Sequence, residues 1–96
     1  MANICDNTFY ACSEDRQNIE AIINFFNGWS YADIEDSGES VDVYFESRWD
    51  FPEEEMKELY ESIPNKEDIY MRCLSVEYGC MYHALWECDE NGWREV

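Results

Sequence analysis

Along this chain the spacing of apolar residues switches between a period of two and the helical period, and the order of the switches constrains the fold more than any other feature. From Ile4 to Cys12 the side chains alternate, with Cys5, Asn7, Phe9 and Ala11 on one side and Ile4, Asp6, Thr8 and Tyr10 on the other, which predicts a strand. Ser13 stands where a helix N-cap is expected, with Glu14 and Asp15 placed to favour the helix dipole. Ile19, Ile22, Ile23 and Phe26 then form the apolar stripe of a helix that Asn27-Gly28 should close with a left-handed glycine. Trp29 to Ile34 reads as a short strand and Ser37-Gly38 as a turn. Val41 to Trp49 is the second strand of the hairpin, with Val41, Val43 and Phe45 inward and Asp42, Tyr44, Glu46 and Arg48 outward. Pro52 and three glutamates open a second helix, striped by Met56, Leu59, Tyr60 and Ile63 and stopped by Pro64. Asp68 to Tyr78 and Cys80 to Cys88 are two further strands about a tight turn at Gly79, and Asp89-Glu90-Asn91-Gly92 closes the last one.

The resulting order is β-α-β-β-α-β-β. Elements with one apolar face each bury those faces by stacking, so the fold class is α+β: a ferredoxin-like two-layer sandwich, two helices packed on an antiparallel sheet, with an extra C-terminal strand. Residues 1–96 are expected to form a single domain, since the length suits one core and no repeat, low-complexity tract or linker divides it. A hydrophobic fraction of 46% supports a packed interior even with 30% charged residues.

The charged residues are very unequal in sign. The 23 acids against 6 bases give a net charge of −17, well beyond the magnitude of about 2–8 that keeps a small domain soluble. Such a charge repels nucleic acid and anionic membrane and attracts basic protein surfaces through a salt-sensitive field. The expected partner is therefore a basic protein surface, with no direct nucleic-acid binding and no membrane contact. From Asp33 to Glu61 there are 12 acids and 2 bases. A charge run is ordinarily just a solvated face, but like charges at i,i+4 cost about 0.2–0.5 kcal/mol per pair in a helix, so repeating them works against stability. The candidate contact residues are Asp33, Glu35, Asp36, Glu39, Asp42, Glu46, Asp50, Glu53, Glu54, Glu58 and Glu61. Asp42 and Glu46 flank Tyr44 on one strand face, and Glu54, Glu58 and Glu61 line one helix face, spacings at which carboxylates can stand in for phosphates. Tyr44 and Trp49 are the candidate aromatic anchors for a partner arginine.

The cysteines offer a second chemistry. Zinc takes three or four thiolate and imidazole ligands, usually marked by Cys-x2-4-Cys, and that spacing is absent. A hairpin turning at Gly79 pairs residues whose numbers sum to about 157, which would place Cys73, Cys80 and Cys88 on one face, and an antiparallel first strand beside it would bring Cys5 near Cys80 or Cys12 near Cys88. Cys5, Cys12, Cys73, Cys80 and Cys88 are thus the candidate zinc ligands, with core packing as the other reading. No cofactor is required, and a structural zinc is the one candidate. Nothing points to an enzyme: His83 and Cys80 fall on opposite strand faces, and there is neither a phosphate-binding glycine loop nor HExxH. An odd number of cysteines and an N-terminus without a secretion signal lead to the expectation of reduced thiols and a cytoplasmic location.

The opening MANICDNTFY resembles the Met-x-Asn-x-Cys-x-Asn-x-Leu start of the YubB and Api type ferredoxin-like domain of phages, plasmids and other mobile elements. VDVYFESRWDFPEEEMKELYESIPN is similar to that family's strand, Trp, Pro-containing turn and helix, and VEYGCMYHALWECDENGW to its closing Glu-x-Gly hairpin. The resemblance implies the ferredoxin-like fold and a mobile-element origin, and it carries over no catalytic residue. Members with these motifs are often longer and far less acidic, which places this chain's own function in its charge. Small acidic cytosolic proteins of phages resemble, as a group, anti-restriction and anti-CRISPR inhibitors. By that analogy the expected function is inhibition of a host nucleic-acid-binding defence nuclease, CRISPR-Cas or another, by an acidic nucleic-acid mimic that occupies a basic groove and blocks DNA loading. The alternative is a small zinc-stabilised protein-interaction domain without mimicry.

Overall fold

The computed structural model describes residues 3–96. Along the chain run β1 (Ile4–Cys12), α1 (Arg16–Asn27), β2 (Asp33–Asp36), β3 (Ser40–Arg48), α2 (Glu53–Ser62), a 3-10 turn (Lys66–Asp68), β4 (Tyr70–Glu77), β5 (Tyr82–Asp89) and β6 (Gly92–Glu95). The strands form one antiparallel sheet in the order β2-β3-β1-β4-β5-β6. The α+β class is as expected, but β6 makes a sixth strand that the order β-α-β-β-α-β-β lacks.

Alternation decides which side of the sheet is covered. Cys5, Asn7, Phe9 and Ala11 of β1, Val41, Val43 and Phe45 of β3, and Met71, Cys73 and Ser75 of β4 are all buried on one side. Ile19, Ile22 and Phe26 of α1 and Met56 and Leu59 of α2 close over them. Phe26 sits edge-on to Phe9 at 5.1 Å and tilted against Phe45 at 4.9 Å, while Phe51 stacks on Trp86 at 4.5 Å. Full burial of each such side chain contributes about 1.5–3 kcal/mol, so this single layer of contacts is what holds the helices to the sheet. Among the described residues no element covers the opposite face of the sheet, and its residues are exposed or half-buried.

Several local expectations are corrected. The N-cap of α1 is Asp15, whose carboxylate accepts from the Gln17 N–H at 3.0 Å, not Ser13. Ser13 instead donates its hydroxyl to the Asp68 carbonyl and accepts from the Asp15 N–H, so it ties the helix entry to the 3-10 turn. Gly28 ends α1 in a right-handed conformation, φ −86°, with its N–H on the Phe25 and Phe26 carbonyls. The strand expected at Trp29 to Ile34 begins only at Asp33, because Trp29 turns inward to pack between Phe26 and Phe45 and donates its indole N–H to the Glu46 carbonyl. Asp68 lies in the 3-10 turn rather than in β4.

Candidate functional site

The uncovered face of the sheet can be read row by row from the strand register. One row runs Asp33, Tyr44, Thr8, Leu74, Leu85; the next runs Glu46, Asp6, Val76, His83. On the other side of the first lies Glu35, Asp42, Tyr10, Arg72, Glu87, Arg94. The five carboxylates of Asp6, Asp33, Glu35, Asp42 and Glu46 thus surround Tyr44 on β2, β3 and β1. Asp6 stands directly opposite Glu46, and Glu35 opposite Asp42, like-charge pairs that destabilise a sheet. Among the described residues none of these five has a cation within salt-bridge distance. Arg16 pairs with Asp36 and Glu20, Lys57 with Glu53, and Arg94 with Glu87 and Asp89, while on the open face itself Arg72 lies over the Tyr10 ring at 4.4 Å and Arg48 follows Glu46 along β3.

Tyr31 completes this acidic half. With Tyr44, Asp6, Asp33 and Glu46 it lines a shallow cleft of about 390 Å³. It is 95% exposed and holds φ at +63°, a left-handed conformation that costs a bulky residue about 1–2 kcal/mol. Trp49, half-exposed at the end of β3, is likewise left-handed at φ +72°. Sequence reasoning found Tyr44 and Trp49 but missed Tyr31 and Asp6. The alternation of β1 already turned Asp6 outward, but only the β1–β3 pairing puts it beside Glu46.

The stretch from Asp33 to Glu61 does not form one plane. Glu54, Glu58 and Glu61 are exposed on α2, in the layer that covers the other side of the sheet. The two groups meet at the β3–α2 corner, where Glu46, Asp50, Glu53, Glu54 and Glu55 line an open cleft of about 660 Å³ around Arg48. Asp36 is engaged within the chain: the Arg16 guanidinium, with the Gly38 N–H, holds its carboxyl well below the usual carboxylate range. Glu39 sits in the β2–β3 turn, its backbone carbonyl accepting from the Ser13 N–H.

The cysteines are spread out. Cys5, Cys73 and Cys88 are buried on the covered face, and burial pushes the Cys73 and Cys88 thiols up to about 12, which disfavours the free thiolate. Cys5 and Cys73 approach the Asn7 side-chain carbonyl at 4.0 and 3.8 Å, and the Ser75 hydroxyl donates to the same oxygen at 2.6 Å. Cys12 faces the open side and is separated from Cys88 by β4, so that expected pairing does not form. Cys80 is exposed in the β4–β5 turn, where the Asn3 amide reaches its sulfur at 3.3 Å. The hairpin register is Met71 opposite Cys88, two positions from the one expected, because the turn takes Tyr78 to Met81 rather than Gly79 alone. Among the described residues no three His, Cys, Asp or Glu side chains gather in a metal-holding arrangement, and no helix is long and apolar enough to cross a membrane. Comparison with protein-family models, curated proteins and solved structures finds no match.

Proposed function

We propose that this protein is a non-enzymatic inhibitor from a phage or other mobile element. It would act in the host cytoplasm by occupying the basic groove of a nucleic-acid-binding defence nuclease, of the CRISPR-Cas kind, and blocking DNA loading. The observation that carries the reading is the set of Asp6, Asp33, Glu35, Asp42 and Glu46 on one uncovered face, none of which has a cation within salt-bridge distance among the described residues. Phosphate would be repelled from this face, whereas lysines and arginines that normally hold phosphates would meet carboxylates at strand spacing, with Tyr31 and Tyr44 available to stack on a guanidinium. The corner cleft extends the same negative field onto α2. The strand order β2-β3-β1-β4, with one helix following β1 and the other β3, supports a ferredoxin-like reading in which β5 and β6 are additions outside β4. That reading agrees with the YubB and Api type resemblance.

The test is a titration of the protein into CRISPR effector nucleases holding fluorescent DNA, at several salt concentrations. Displacement of DNA is expected, weakening as salt rises. The variant carrying Asp33→Asn, Asp42→Asn and Glu46→Gln should lose about tenfold or more in affinity, mostly through slower association. Failure to displace DNA, or an unchanged affinity in the variant, would overturn the mimicry.

A further inference from the structure

Beyond the row of Arg72, Glu87 and Arg94, the β4–β5 half of the same open face carries an apolar strip. Leu74 and Leu85 are direct cross-strand neighbours, 43% and 37% exposed, and Val76 lies one row away beside Asp6. At the β4–β5 turn Met81 is 81% exposed with φ +57°, a conformation glycine or asparagine would hold more easily. Leu74, Val76, Tyr78, Met81 and His83 contribute to one shallow groove of about 380 Å³. An apolar strip of this kind on a soluble chain marks a contact surface.

Charge selects the occupant. A second copy would bring another net −17 against the five carboxylates of the same face, so self-association through this face is opposed by long-range repulsion. Width selects its shape. The strip covers β4 and β5, strands about 4.8 Å apart, and an α-helix with its side chains is about 10–12 Å across. A helix laid there would leave its long cationic side chains within reach of β1 and β3.

We propose that the open sheet face docks a cationic amphipathic α-helix of a partner protein. Its apolar side chains would lie on Leu74, Leu85, Val76 and Met81, and its lysines and arginines on Asp6 and Glu46. This rests on the reading that the acids meet a basic protein, and it adds that the contact is anchored by apolar burial, which salt does not screen.

Two labelled peptides of equal positive charge separate the two claims: a helical Leu–Lys peptide with one apolar face, and the same sequence with Ser in place of Leu. The Leu–Lys peptide should bind about tenfold tighter and keep that advantage at high salt. Leu85→Ser and, at the turn, Met81→Ser should each reduce the advantage while leaving the Ser–Lys peptide's binding unchanged. Both sites are exposed enough for the variants to fold, which a melting scan checks. Equal binding of the two peptides, or an advantage untouched by both substitutions, overturns the helix-docking claim and leaves the acidic reading standing. Failure of both peptides to bind overturns both. A dimer in sedimentation that Leu85→Ser dissociates assigns the strip to a second copy and overturns the proposed occupant.

Discussion

At Glu77 a buried carboxylate organises a turn. It is 3% exposed, and its two oxygens accept from the Gly79 and Cys80 N–H groups, each at 2.6 Å. Burial by itself would raise this carboxyl, but the hydrogen bonds from Cys80, Gly79 and Asn3 outweigh it and hold it below its ordinary value. A group favoured as the anion in the folded state contributes stability above its unfolded pKa and loses it as pH falls through the folded one. Glu77→Gln is therefore expected to unfold more easily at neutral pH and to show a flatter loss of stability below about pH 4.5, read by urea titrations at several pH values. Gly79 leaves room for the same contact, since a Cβ there would lie 2.8 Å from the Glu77 carboxylate and 3.0 Å from the Asn3 amide and would displace them. Tyr31 illustrates the opposite case. Its side chain is almost wholly exposed and its backbone is left-handed, so stability would prefer another residue. Tyr31→Asn should stabilise the protein by about 0.5–1 kcal/mol in denaturant while weakening binding to a basic partner. A loss of stability would show that the tyrosine is held by packing.

A buried amide on α1 ties several elements of this fold together. Asn18, fully buried on α1, donates to the Asn65 and Asp68 carbonyls and to the Ser13 hydroxyl, and accepts from the Asn65 N–H at 2.9 Å. It therefore fixes the α2–β4 connection against the start of α1. Asn18→Ala orphans several buried groups and is expected to cost about 3 kcal/mol, measured as a lower urea midpoint with unchanged slope. Periodicity could not reveal this contact, because a polar residue within an apolar helix stripe looks the same whether it faces water or a distant loop. The paired strands and both helices were legible in the sequence because Phe9, Val43, Ile22 and Leu59 each recur at the spacing of their element. β6 was not, since four residues from Gly92 to Glu95 are too few for an alternation to register. Asn91-Gly92 was nonetheless a hairpin signal, and Gly92 does hold a positive φ of +92°. The outward direction of Asp42, Tyr44 and Glu46 followed from alternation alone. The neighbourhood of Asp6, Tyr31 and Leu74 did not, because it depends on which strands pair.

For the molecule as a whole, charge and stability pull in opposite directions. Only Glu20, Asp36, Glu53, Glu87 and Asp89 of the 23 acids have an ion-pair partner among the described residues. The rest repel one another, most strongly where register sets Asp6 against Glu46 and Glu35 against Asp42. Salt screens that repulsion within a Debye length of about 10 Å at 0.1 M, so the melting temperature of the free protein should rise with added sodium chloride. The Asp33→Asn, Asp42→Asn, Glu46→Gln variant should melt a few degrees higher than the parent at low salt, on the order of 1 kcal/mol, and the gap should close at high salt. The same variant is the one expected to bind a basic partner more weakly. Gain of stability with loss of binding, both vanishing as salt rises, is what a surface kept for contact at the expense of the fold produces. If neutralising these three carboxylates leaves the melting temperature unchanged at every ionic strength, they do not share a field, and a partner with matching positive charge has no concentrated surface to meet.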